Sequence, residues 1–150
     1  MLNEDYKEML RAFTGNKVKF LVVGAYAMGV YGYPRATGDF DIWVEATPEN
    51  SKNIYKALKQ FGAPLAEIST ATFAEKGIVF QIGVAPRRID VLTQIDGVNF
   101  KQAYKAKEEV VIDGTKIPFL SKKHLIKNKK TTYREKDRID INCLKNKFLK

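Results

Sequence analysis

The sequence predicts an α/β (α+β) domain: a mixed, mostly antiparallel sheet with helices packed on it. Three observations lead there. Two pairs of strand-like runs are each joined by a tight turn, at Ala85-Pro86-Arg87 and at Asp113-Gly114, which builds antiparallel pairs. Short apolar runs such as Leu21-Val22-Val23 alternate with segments that carry helix-start chemistry. A helix follows directly on the strand that begins at Asp39 and returns the chain to the far end of the sheet, which suits a mixed sheet. With 150 residues the chain is long enough for one good core. We expect a single domain over 1–150, with its core in 18–120 and a basic helical segment over 121–150.

The elements follow in order. Residues 4–14 form an amphipathic helix capped by Asn3, with Glu4 and Asp5 in its first turn and Tyr6, Met9, Leu10 and Phe13 on one face. Its expected role is packing. Leu21-Val22-Val23 is a buried strand that breaks at Gly24-Ala25 into a small-residue helix, AYAMGVYG. A second strand starts at Asp39. Thr47 as cap, Pro48 at the first helical position and Glu49 next start a helix that buries Ile54, Ala57, Leu58 and Phe61 and stops at Gly62. Phe73 and Ala74 suit a short helix within an otherwise featureless stretch. IVFQIGV and RIDVLTQ are the first strand pair, a short helix covers 99–107, and EEVVI with TKIPFL is the second pair. Ser121 caps a helix through HLIKNKK, and residues 125–143 continue as a basic helical region anchored by Ile141, Leu144 and Phe148.

Composition narrows the function classes. Hydrophobic residues at 45% and charged residues at 29% fit a globular protein in water. No apolar run has the length of a membrane span, and no signal-peptide layout opens the chain. One cysteine, Cys143, forms no internal disulfide, so the cytoplasm is the expected compartment. One histidine, His124, excludes a histidine-rich metal cluster; we expect it at a helix surface or boundary. Residues 1–100 carry as many acids as bases, so the whole excess of +9 lies in residues 101–150. A polyanion would be drawn there, although a solvated charged face has the same composition.

The chemistry begins at Asp39 and Asp41. Residues i and i+2 of a strand share a face, so the two carboxylates project together from backbones about 7 Å apart. Phe40, Ile42 and Val44 then face the core. Two carboxylates this close raise each other's pKa unless a cation relieves them. Mg²⁺ does so with a few carboxylates plus phosphate oxygens. Just upstream, Gly24 permits a tight turn, and the helix after it offers N–H groups to phosphate. Asp90, between Ile89 and Val91, has two open readings: a third cleft carboxylate, or a salt-bridge partner of Arg87 or Arg88.

GAYAMGVYGYPRATGDFDIWV resembles the signature of the nucleotidyltransferase superfamily, the DNA polymerase β-like fold: a Gly-Gly or Gly-Ser turn, a short helix, then D-x-D. Arg35-Ala36-Thr37-Gly38 is similar to the R-x-T loop of a small prokaryotic subgroup related to AbiEii-type toxins. Leu125, Ile126, Lys129, Arg134, Lys136, Asp137 and Asp140 match a pattern with which that subgroup often ends. The match covers about 18–144. Ala25 departs from the family's second Gly or Ser and removes any hydroxyl contact to phosphate.

The resemblance implies a metal-dependent transfer of NMP from an NTP such as ATP to a hydroxyl acceptor, with Mg²⁺ or Mn²⁺. It makes Asp39, Asp41 and Asp90 the catalytic metal ligands. It places Gly24, Ala25, Arg35, Thr37, Lys129 and Arg134 at the nucleotide, with Asp137 orienting Arg134 or Lys136. The basic tail makes RNA, such as a tRNA end, one acceptor; a small hydroxylated molecule of the antibiotic type is the other. A homodimer or an antitoxin-like partner would complete the acceptor pocket. A degenerate module that binds nucleotide, RNA or a partner without turnover is the rival from another class.

Overall fold

The structure is a computed structural model and describes residues 2–33, 38–132 and 134–146. Its elements run α1 (Glu4–Gly15), β1 (Phe20–Val23), α2 (Ala25–Val30), β2 (Asp39–Val44), α3 (Pro48–Phe61), a 3₁₀ turn (Thr72–Ala74), β3 (Val79–Ile82), β4 (Arg88–Leu92), α4 (Phe100–Lys105), β5 (Glu108–Ile112), β6 (Thr115–Phe119), α5 (Lys122–Thr132) and α6 (Glu135–Asn146).

The six strands form one sheet in the order β3-β4-β2-β1-β6-β5. Pairs β3–β4, β2–β1 and β6–β5 are antiparallel, while β4–β2 and β1–β6 are parallel. The mixed, mostly antiparallel sheet is therefore as expected. The parallel β2–β4 pair is made by the crossover through α3 and the two-strand unit after it. Its register sets Asp39 beside Arg88 and Asp41 beside Asp90. Phe40, Ile42 and Val44 are fully buried, so the alternation along β2 turns the two aspartates to the opposite face.

Local signals account for the helix starts. The Asn3 side chain accepts from Tyr6 N–H at 2.9 Å, Thr47 caps α3 by accepting from Asn50 N–H, and Gly62 ends α3 at φ +93°. Tyr6, Met9, Leu10 and Phe13 of α1 join the same core as β1, β2 and α3. Each large side chain so buried contributes about 1.5–3 kcal/mol. Leu125 of α5 and Leu144 of α6 reach that core too. Asn50 is a buried polar tie: it accepts from Lys19 N–H at 2.8 Å and donates to the carbonyls of Lys19 and Glu45.

The basic region after residue 121 is two helices rather than a continuous one. Asp137 explains the restart at α6: its carboxylate accepts from Arg134 N–H at 3.1 Å and from the Thr132 hydroxyl at 2.7 Å. Arg35, Thr37 and Phe148 lie outside the described residues.

Candidate active site

Asp39, Asp41 and Asp90 converge. One carboxylate oxygen from each lies within 4.8 Å of the others. The period-two alternation puts Asp39 with Asp41 on β2, and the parallel register brings Asp90 alongside from β4. Asp90 is 6% exposed, and Ile89 and Val91 on the other face are buried, as expected. Burial, reinforced by Asp39 and Asp90, pushes the Asp41 carboxyl up to about 7. Burial likewise raises Asp90, although Arg88 opposes it.

Asp90 also pairs with Arg88, the salt-bridge reading of this residue. The Arg88 guanidinium reaches Asp39 Oδ2 at 3.0 Å, Asp90 Oδ1 at 3.1 Å and Asp90 Oδ2 at 3.3 Å. Arg87 instead pairs with Asp5 of α1. Arg88 thus belongs to the site, a place the sequence argument did not assign it. The signal was present: Arg88 precedes Asp90 by two residues, so both must share a face. Helix α1 also does more than pack. Its Tyr6 hydroxyl donates between the carbonyls of Pro86 (3.0 Å) and Arg88 (3.2 Å), which pins the start of β4.

Gly24 is the point of closest approach between the turn and the carboxylates. It caps α2 with φ +71°, and a Cβ built there would collide with the Asp41 carboxylate. No side chain caps the N-terminus of α2. Gly24 and Ala25 line a cleft of about 320 Å³ together with Asp39, Asp41, Leu92 and Ile95. The opposite wall comes from α5 and α6: Asn128, Lys129, Thr132, Arg134, Lys136, Asp137 and Asp140. Six of the expected site residues, Gly24, Ala25, Asp39, Asp41, Lys129 and Arg134, thus line one cleft.

That wall is tightly paired. Lys129 Nζ lies 2.8 Å from Asp140 and 3.6 Å from Asp137, all three buried. Arg134, whose side chain is largely exposed, pairs with Asp137 at 3.0 Å. Burial alone would raise the Asp137 carboxyl, but hydrogen bonds from Arg134 and Thr132 hold it well below the usual range. Asp137 therefore orients Arg134, one of the two roles expected of it. His124 sits in the first turn of α5, 3.0 Å from the Ser121 hydroxyl, away from the carboxylates' cleft wall.

The carboxylates fit a hard divalent cation. They offer oxygen donors only, close enough to share one ion, and the absence of a Cβ at Gly24 lets the Asp41 carboxylate sit against the turn.

The six-stranded mixed sheet with its packed helices is a fold shared with solved structures of nucleotidyltransferases. No family profile matches the chain, and no curated protein sequence matches it. Solved structures do. A Thermotoga maritima protein, TM1012, assigned as a nucleotidyltransferase, aligns with TM-score 0.59 and 19% identity over 99% of this chain and 95% of its own. The lincosamide antibiotic adenylyltransferase LnuA, solved with lincomycin, aligns with TM-score 0.58 and 18% identity over 97% of each chain. ANT(2″)-Ia, in complex with adenylyl-2″-tobramycin, aligns with TM-score 0.60 and 15% identity over 97% of this chain and 87% of its own. Among the described residues, no helix is long and apolar enough to cross a membrane.

Proposed function

We propose that this chain is a metal-dependent nucleotidyltransferase that moves NMP from an NTP to a hydroxyl acceptor. The observation that carries the reading is the convergence of Asp39, Asp41 and Asp90, the first two of which line one cleft with the Gly24-Ala25 turn. In the reaction the acceptor oxygen bonds to the α-phosphorus, its proton leaves, and pyrophosphate departs with the electrons of the broken P–O bond. Asp39, Asp41 and Asp90 would hold the divalent ions, Mg²⁺ or Mn²⁺. Such ions neutralise the triphosphate and lower the pKa of the attacking hydroxyl. In this reading Asp90 would also take the acceptor proton. The N–H groups that open α2 after Gly24 would meet the phosphates. Arg134, oriented by Asp137 and largely exposed, would meet the triphosphate from the facing wall, with Lys129 held behind it by Asp137 and Asp140.

For the acceptor we favour a small hydroxylated molecule. Two structural neighbours that overlap almost the whole chain carry antibiotic ligands, lincomycin and adenylylated tobramycin. RNA is the second reading, favoured by the +9 charge that lies in residues 101–150.

The test is a transfer assay with each α-labelled NTP and Mg²⁺ or Mn²⁺. The acceptors are a panel of aminoglycosides and lincosamides, total RNA, and the protein alone. Asp39→Ala/Asp41→Ala is the control. Label entering one acceptor class only with intact aspartates is the expected result. Mg²⁺-dependent NTP binding with no transfer to any acceptor would favour a non-catalytic binding module.

A further inference from the structure

We propose that Arg88 is the resident counter-ion of the metal-free carboxylate group, and that its guanidinium must leave that position for a divalent cation to bind. The inference rests on the metal reading above and adds a control on metal entry. Arg88 faces Asp39 in register and precedes Asp90 by two residues, so the strand geometry alone delivers its side chain to the carboxylates. Its nitrogens contact Asp39 at 3.0 Å and both oxygens of Asp90 at 3.1 and 3.3 Å. These are two of the three groups that would ligate the metal. A guanidinium in hydrogen-bond contact with the ligands occupies the approach of a dication and repels it at short range.

The Arg88 side chain is 36% exposed, which leaves it a way out into solvent. The backbone has no such freedom, because the Tyr6 hydroxyl holds the carbonyls of Pro86 and Arg88. The exchange is therefore a side-chain swing on a fixed strand. Arg88 acts as a positioning residue that keeps Asp39 and Asp90 together before metal arrives and sets the threshold concentration at which it does.

The experiment is Mn²⁺ titration calorimetry without nucleotide, on the wild-type chain, Arg88→Met, Arg88→Lys and Asp39→Asn/Asp41→Asn. Mn²⁺ is expected to bind Arg88→Met about tenfold more tightly than wild type, with Arg88→Lys in between. In parallel, Mg²⁺ is added to wild-type protein labelled with ¹⁵N-arginine. The Arg88 Nε–H resonance, identified by its absence in Arg88→Lys, is expected to move. Equal or weaker Mn²⁺ binding by Arg88→Met, or an Arg88 resonance unmoved at saturating Mg²⁺, overturns the proposal. Should Arg88→Met not fold, the wild-type resonance and the Arg88→Lys titration still decide. No Mn²⁺ binding by wild type and Arg88→Met, with no effect of the aspartate changes, sinks the metal reading itself and the proposal with it. Tighter binding by Arg88→Met in a protein that transfers nothing leaves the proposal standing and removes only the enzyme reading.

Discussion

Gly24, in the turn from β1 into α2, touches Asp41 of β2 so closely that no Cβ fits between them. Gly24→Ala is therefore predicted to displace the Asp41 carboxylate and strain a backbone at φ +71°. We expect transfer activity and Mn²⁺ affinity to fall at least tenfold, with a stability loss of about 1–3 kcal/mol. Calorimetry and chemical denaturation measure both. Unchanged Mn²⁺ affinity would contradict the assigned contact.

Asp41 makes the metal-free protein sensitive to pH. Its folded pKa, about 7, lies above the unfolded value near 3.9. A raised carboxyl adds stability that is complete below the unfolded pKa and is lost as pH rises through the folded one. The wild type is thus predicted to lose stability relative to Asp41→Asn between about pH 4 and pH 7, and to level off above. Melting temperatures of both proteins in EDTA, from pH 4 to 9, check this. Parallel curves for the two would refute it.

Asp137 works in the other direction. Its folded pKa is depressed by Arg134 and Thr132 despite burial. That contribution is complete above the unfolded value near 3.9 and disappears as pH falls below it. Wild type should lose its advantage over Asp137→Asn as urea midpoints are followed from pH 5 to 2. A constant gap across that window would exclude the assigned hydrogen bonds as the cause.

Lys129 and Asp140 form a buried ion pair at 2.8 Å between α5 and α6. Asp140→Asn takes the nearer of two carboxylates from the buried Lys129 ammonium and leaves Asp137 at 3.6 Å, so it is predicted to cost about 3 kcal/mol. Lys129→Met/Asp140→Asn should recover much of that loss, because the ammonium is removed together with its nearer carboxylate while Asp137 keeps Arg134. A double-mutant cycle by denaturant unfolding decides; additive losses would show that the pair is not coupled.

Pinning of β4 by Tyr6 predicts a smaller effect. Tyr6→Phe keeps the stacked contact with Phe40, at 4.7 Å between ring centroids, and loses only the hydroxyl's bond. The expected cost is about 1 kcal/mol, with Mn²⁺ affinity lowered because Arg88 and Asp90 are less well placed. Wild-type affinity in Tyr6→Phe would assign the hydroxyl to stability alone.

Much of this molecule was legible in one dimension. The Asn3 and Thr47 caps, the apolar face of α1, the Asp113-Gly114 hairpin and the alternation of β2 depend on residues within a few positions of one another. Local sterics and hydrogen bonding settle such features before any tertiary contact forms. The same alternation placed Asp39 and Asp41 on one face. Only the tertiary structure decided the neighbours of those aspartates. The β2–β4 register joins Asp39 to Arg88, 49 positions along the chain, and neither strand's own pattern specifies it. For that reason Arg88 entered the argument as an alternative partner of Asp90 and emerged as a partner of both carboxylates. The pairing of Lys129 with Asp137 and Asp140 arises likewise from the packing of α5 on α6. A charged helical repeat does not encode which of its faces will lose water, and it is the loss of water that forces each buried charge to find its partner.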